Sequence, residues 1–256
     1  MGDRMLEVRI DRKIFGTEPV LRDIGFTIRA GEVVALLGPS GAGKTTLLRI
    51  LLGLDSAFQG QVRRDHRRVG VVFQEPRLLP WLTVAENIRF VITGGMPPPD
   101  IQALLESVQL GHAGSLHPAQ LSLGMARRAA LARAMAISPD LLVLDEPFVS
   151  LDAQLATGLA DAVAAYARST GASVILATHD LAQAVQRVSR FLVLAGRPTT
   201  LCADRPAAST SPANLLRDFP FLRAENATAE ALPLAAIPEY CHRNNNQRGE
   251  CDASPA

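Results

Sequence analysis

An α/β fold with a mostly parallel sheet is predicted by three features of this chain. From residue 32 onward, short apolar runs rich in β-branched residues alternate with helical segments. One of these runs passes into a glycine-rich loop and then straight into a helix, while two earlier stretches, Leu6 to Ile10 and Val20 to Ile28, alternate polar and apolar positions instead. Alternating strands and helices imply a parallel core covered by helices, whereas a period of two marks antiparallel strands with one solvated face. The expected architecture is an α/β core, an antiparallel β-layer and an inserted helical subdomain.

The elements follow in order. Leu6 to Ile10 and Val20 to Ile28 alternate and read as the β-layer, closed by a turn at Gly31. Glu32 to Leu37 is a buried strand, and Thr45 to Leu52 a helix ended by Gly53. Arg68 to Phe73 is a second buried strand ending at Gln74. The helical region opens at Thr83-Val84-Ala85-Glu86, whose S/T-x-x-E spacing is a capping box, and runs to Met135 with a break at Gly94 to Pro99. Leu141 to Leu144 and Ser173 to Ala177 are further buried strands, joined by a helix over 153–168. The domain is expected to span 5–223, with the helical subdomain at about 75–135, and the Ala/Pro/Asn-rich residues 224–256 form a weakly ordered tail.

The loop between the first buried strand and its helix carries the chemistry. Gly38-Pro39-Ser40-Gly41-Ala42-Gly43-Lys44-Thr45-Thr46 is a full G-x-x-x-x-G-K-[ST] match, in a chain whose only lysines are Lys13 and Lys44. Glycines let the backbone wrap an anion, its N–H groups converge, and the positive end of the helix dipole faces the same point. Such a loop holds a polyphosphate: Lys44 reaches the β/γ-phosphates, the Thr45 hydroxyl ligates Mg²⁺, and Thr46 adds a phosphate contact. Asp145 and Glu146 follow the strand Leu141 to Leu144, at the carboxyl end where open α/β sheets hold ligands. Asp145 is expected in the Mg²⁺ shell, and Glu146 is expected to orient or deprotonate the attacking water. Together these residues read as a P-loop NTPase.

Composition narrows the class. A net charge of +1 with 48% hydrophobic residues describes a globular protein without the electrostatic footprint of a nucleic-acid binder. The basic cluster Arg63 to Arg68 is short and interrupted by Asp65, and reads as a solvated hairpin. No apolar run approaches the ~20 residues of a spanning helix, and residues 1–5 contain no signal-peptide core, so a cytoplasmic chain is expected. Cys202, Cys241 and Cys251 lack the spacing of a disulfide framework or zinc site and are expected to be structural or incidental.

A further set of residues resembles the ATP-binding cassette (ABC) ATPases over about residues 6 to 205. Gln74 is similar to that family's Q-loop glutamine, Leu121-Ser122-Leu123-Gly124-Met125 to its signature motif, Ser150-Leu151-Asp152 to its D-loop and His179 to its switch histidine, all in family order. Singly, each has a bland reading: Ser122 as a helix N-cap, Gln74 and His179 as polar residues at strand ends. The resemblance implies that Ser122 and Gly124 contact the γ-phosphate of an ATP held by a second subunit, with Asp152 reaching across the seam. It also implies that His179 senses the γ-phosphate and that Gln74 links Mg²⁺ and water to the helical subdomain. With one P-loop and one signature per chain, the resemblance implies a second ATPase subunit, as a homodimer or with a related partner, and two ATP at the seam. Phe15 matches the aromatic that stacks on adenine, with core packing as the rival reading.

The signature departs from the family's Leu-Ser-Gly-Gly at Leu123, which is expected to pack within its own subunit rather than face the neighbouring nucleotide. The segment Glu75 to Ile88 resembles that of nitrate, sulfonate and taurine importer ATPases. There Leu78, Leu79 and Trp81 form part of an apolar groove for a coupling helix, the rival being packing against their own helical region. The resemblance therefore implies a peripheral ATPase on the cytoplasmic face of the inner membrane, powering small-solute uptake. Its partners are separate permease subunits and, indirectly, a solute-binding protein, with no nucleic acid. The alternatives are an exporter subunit or a soluble non-transport cassette protein.

Overall fold

A computed structural model describes residues 4–93, 98–149, 151–181 and 187–223. The chain order is β1 (Arg4–Phe15), β2 (Glu18–Arg29), β3 (Val33–Leu37), α1 (Lys44–Leu51), β4 (Gln59–Arg64) and β5 (Val69–Val72). It continues with α2 (Val84–Phe90), α3 (Ile101–Ser107), α4 (Leu123–Ala136), β6 (Leu141–Asp145), α5 (Ala153–Thr170) and β7 (Ser173–Thr178). The described residues end with β8 (Arg190–Gly196), β9 (Thr199–Pro206) and α6 (Pro212–Asp218). The tail 224–256, Ser150 and most of the expected break at 94–99 lie outside the described residues. The residues pack into two compact units.

The first unit comprises 6–28, 34–64 and the described residues from 177 onward. Its strands run β4-β1-β2-β9-β8-β3. β1 and β4 are antiparallel, with Val8 opposite Val62, and β8 and β9 form an antiparallel hairpin. β3 runs parallel to β8, with Val34 opposite Arg190 and Leu37 opposite Val193. The buried Leu6, Val8 and Ile10 on β1 show the alternation expected of a β-layer, whereas Val34 to Leu37 are buried without interruption, as expected of a covered parallel strand. The Arg190 guanidinium pairs with both oxygens of Asp204 and donates to the Thr27 carbonyl at 2.8 Å, joining β8, β9 and β2.

The cluster at Arg63 to Arg68 departs from the expectation of a solvated hairpin. Arg63 and Arg64 end β4, which pairs with β1, and Arg64 turns inward. Its Nε donates to the Leu51 carbonyl at 2.7 Å and its Nη2 to the Ile50 carbonyl, which satisfies the carboxyl end of α1. Cys202 is buried in β9 and disulfide-bonded, a structural role that the cysteine spacing did not indicate. Cys241 and Cys251 lie outside the described residues.

The second unit comprises 4–5, 29–33 and 65–176. It carries β7-β6-β5, with β5 parallel to β6 and Val69 opposite Leu141 through Val72 opposite Leu144. The helix α4 packs on β5, α2 and α3 through a buried row of small residues, among them Ala129, Ala130, Ala132 and Ala136. Asp140 ties the start of β6 to that of β5, accepting from the Arg67 and Arg68 backbone N–H groups at 2.9 Å each. The capping box at Thr83 and Glu86 forms as expected and starts α2.

Candidate functional site

The glycine loop lies between β3 and α1 in the first unit, in the predicted order of strand, loop and helix. Two of its glycines are required by space. A Cβ at Gly38 would sit 2.7 Å from the Leu194 carbonyl oxygen on β8, and one at Gly43 would sit 2.9 Å from Leu21 Cδ2. Gly43 also adopts φ +69°, the left-handed conformation that opens α1. The loop is therefore pressed against its own sheet. Buried Lys44 crosses the loop, its Nζ donating to the carbonyls of Gly38 at 2.7 Å and Pro39 at 3.2 Å. Thr45 is exposed and Thr46 half-buried at the head of α1. Beside Gly41 opens a cleft of about 440 Å³, lined also by residues 18–20 and 197–199.

Phe15 ends β1 in the same unit and is 53% exposed, which removes core packing as its role. A residue that sequence reasoning passed over sits against it. Lys13 Nζ lies 4.5 Å from the Phe15 ring centroid, held there by Asp55 at 2.7 Å and the Ala57 carbonyl at 2.9 Å. The Lys13 hydrogen bond holds the Asp55 carboxyl below its ordinary range. The rarity of lysine in this chain was the available signal. His179 follows β7 and is half-buried in this unit.

The second unit holds the remaining predicted residues. Asp145 closes β6 at 3% exposure, and Glu146 follows at φ +49°, a left-handed conformation for a side-chain-bearing residue directly before a proline. Backbone strain of this kind costs on the order of 1–3 kcal/mol and persists where the fold must aim one side chain. Ser122 caps α4, its hydroxyl accepting from the Met125 N–H at 3.2 Å, and Asp152 caps α5, accepting from the Leu155 N–H at 2.9 Å. Both polar groups are exposed at helix starts. A Cβ at Gly124 would lie 2.9 Å from Leu151 Cδ2, so a larger residue there would push on the segment before Asp152. Leu123 corrects the expectation of internal packing. As the first residue of α4 its side chain points away from the buried face and is 54% exposed.

Gln74 is exposed after β5, and the segment that follows it is pinned from two helices. Arg133 on α4 donates to the Pro76 and Arg77 carbonyls at 3.0 and 2.8 Å, and burial lowers its pKa from the ordinary value. Buried Asn87 on α2 donates to the carbonyls of Leu79, Leu82 and Thr83 and accepts from the Leu79 N–H at 2.8 Å. That framework leaves Leu78 and Leu79 half-buried and holds Trp81 outward, 70% exposed, rather than packed into its own helices.

The family model for ABC transporters matches residues 21–149. The aliphatic sulfonates import ATP-binding protein SsuB 2 of Pseudomonas syringae pv. tomato is 42% identical over 207 residues, covering 81% of this chain and 89% of that one. The chain belongs to the ABC transporter family. The SsuB 2 protein of Burkholderia cenocepacia is 45% identical over 76% of this ABC chain and 75% of its own length. Among solved structures, a dimeric bacterial ABC transporter cassette superposes with TM-score 0.71 at 26% identity, covering 79% of this chain and 99% of that one. A dimeric post-hydrolysis cassette bound to ADP and phosphate superposes with TM-score 0.70 at 27% identity, with the same coverage. The mixed α/β cassette fold and the ABC ATPase activity, ATP hydrolysis driving transport, follow from this membership. Among the described residues no helix is long and apolar enough to cross a membrane.

Proposed function

We propose that this ATPase energises an importer for small sulfonates, within the broader nitrate, sulfonate and taurine class. The observation that carries the reading is the 42% identity, sustained over 81% of the chain, to a protein whose role is sulfonate import. The outward-held Trp81 agrees with it, since an exposed aromatic on a pinned segment suits a helix from a permease subunit. The working form is a homodimer at the cytoplasmic face of the inner membrane, bound peripherally to permease subunits that receive solute from a binding protein.

Each site residue then has a role. Lys44 and the N–H groups of residues 38–46 bind the ATP phosphates, and Phe15 stacks on the adenine. Glu146 orients and accepts a proton from the attacking water, and His179 holds the γ-phosphate position. Ser122, Gly124 and Asp152 serve the nucleotide of the opposite protomer. Thr45, Gln74 and Asp145 offer hydroxyl, amide and carboxylate oxygens, the hard donor set that fits Mg²⁺. Mg²⁺ would neutralise charge on the β/γ oxygens.

Deleting the gene and growing the host on an aliphatic sulfonate as sole sulfur source tests the import reading. Growth is expected to fail and to return with the wild-type gene but not with Lys44→Ala. Undiminished sulfonate uptake in the deletion strain overturns the substrate, and sulfonate efflux dependent on this gene would favour an exporter.

A further inference from the structure

Arg127 is a charged side chain that none of the roles above uses. It sits one turn into α4, only 7% exposed, and among the described residues it has no carboxylate partner. Its guanidinium is spent on two backbone carbonyls instead. Nε donates to the Gln74 carbonyl at 3.4 Å and Nη1 makes a close bond to the Val149 carbonyl. A buried cation without a counter-ion is costly to place, and only a planar fork can donate to two carbonyls in fixed relative positions. The two carbonyls are those of the residue expected to meet Mg²⁺ and water and of the residue that leads, through Leu151, to Asp152.

We infer that Arg127 is a positioning residue that fixes Gln74 and the Asp152 segment to the signature helix, so that these three parts move together when ATP binds. The inference rests on the ATPase reading and adds to it a residue that acts through the backbone of others. Arg133 extends the same arrangement one step further, since it holds Pro76 and Arg77, which lead to Trp81. A shift of α4 is thereby carried along one continuous segment from Gln74 to the exposed tryptophan.

The chain has a single tryptophan, so its emission reports on that segment directly. The experiment uses the full chain and compares wild type, Arg127→Gln and Arg127→Lys by Mg-ATP titration of Trp81 fluorescence, steady-state hydrolysis and thermal melting. In the wild type, ATP is expected to change Trp81 emission. In Arg127→Gln, ATP affinity should stay within about twofold, because the phosphate loop is untouched, while kcat falls roughly tenfold and the emission change is lost. Arg127→Lys keeps the charge but reaches one carbonyl, and should fall between the two.

A wild type whose Trp81 ignores ATP overturns the inference, as does an Arg127→Gln protein with wild-type kcat and emission response. So does a loss of kcat that merely follows lost ATP affinity and melting temperature and is not relieved by lysine. If Arg127→Gln does not fold, Arg127→Lys alone decides, and full wild-type kcat and emission change in it refutes a two-carbonyl clamp. Hydrolysis in the wild type and its loss in Lys44→Ala test the ATPase reading separately, while the Trp81 response to bound nucleotide tests Arg127 whether or not that reading holds.

Discussion

Replacing Leu123 by alanine separates two parts of the account that a functional assay alone would confound. The side chain is 54% exposed, so the folded protomer buries about half of it. Full burial of a leucine contributes about 1.5–3 kcal/mol, so its loss should cost roughly 1 kcal/mol of protomer stability. Leucine and alanine have nearly equal helix propensity, and one kcal/mol in a domain of this size moves the melting temperature by about 2–4 °C. If the exposed half is covered by the neighbouring protomer, each copy loses about 1 kcal/mol on association as well. A two-fold dimer loses this twice, which weakens it by roughly 30-fold. Analytical ultracentrifugation with ATP in a Glu146→Gln background measures the second quantity, and calorimetry the first. A melting temperature lowered by more than about 8 °C with unchanged dimerisation would refute the reasoning, because it would mean that Leu123 stabilises its own subunit after all.

Lys44→Ala should weaken Mg-ATP binding and abolish hydrolysis, since it removes the loop's only cation; nucleotide titration and a phosphate-release assay check both. Gly38→Ala should impair ATP binding while β3 and α1 persist, because its Cβ would meet the Leu194 carbonyl at 2.7 Å, and a normal affinity would show that loop and sheet can separate at little cost. The pKa of Asp55 is depressed in the fold from 3.8, mainly by its Lys13 hydrogen bond, so this stability is present above that value and is lost as pH falls below it. Asp55→Asn should accordingly be less stable than wild type at neutral pH and show a shallower loss of stability as the pH falls below about 4 in denaturant titrations.

How much of this was legible in the sequence depends on where each signal resides. The parallel core was readable because Val34 to Leu37 and Leu141 to Leu144 are buried on both faces, which leaves unbroken apolar runs. The glycine loop was readable because close approach at Gly38 and a left-handed backbone at Gly43 leave few alternatives to glycine. The strand β4 was missed because Gln59 to Arg64 is almost wholly polar and pairs at the end of the strand order, and Arg64 looked solvated because its partners, the last carbonyls of α1, are brought to it only by the fold. The hairpin β8–β9 had an apolar signal in Phe191 to Leu194, but beyond His179 there was no motif to direct attention to it. The direction of Leu123 was misjudged because a first-turn residue has no preceding turn to lie against, so apolar residues later in the helix say nothing about where it points. The φ of Glu146 and the carbonyl partners of Arg127 are properties of the folded backbone, and no residue pattern announces them.

The most direct test of the central claim, that this chain hydrolyses ATP at a site completed by Glu146 within an ATP-driven dimer, is the hydrolysis rate and sedimentation of purified Glu146→Gln measured beside the wild type. The variant is expected to bind ATP, turn it over at least about a hundredfold more slowly and accumulate as an ATP-loaded dimer, since water activation is lost while the phosphate loop and signature remain. Full turnover in the variant, or a protein that stays monomeric with ATP bound, would contradict the claim.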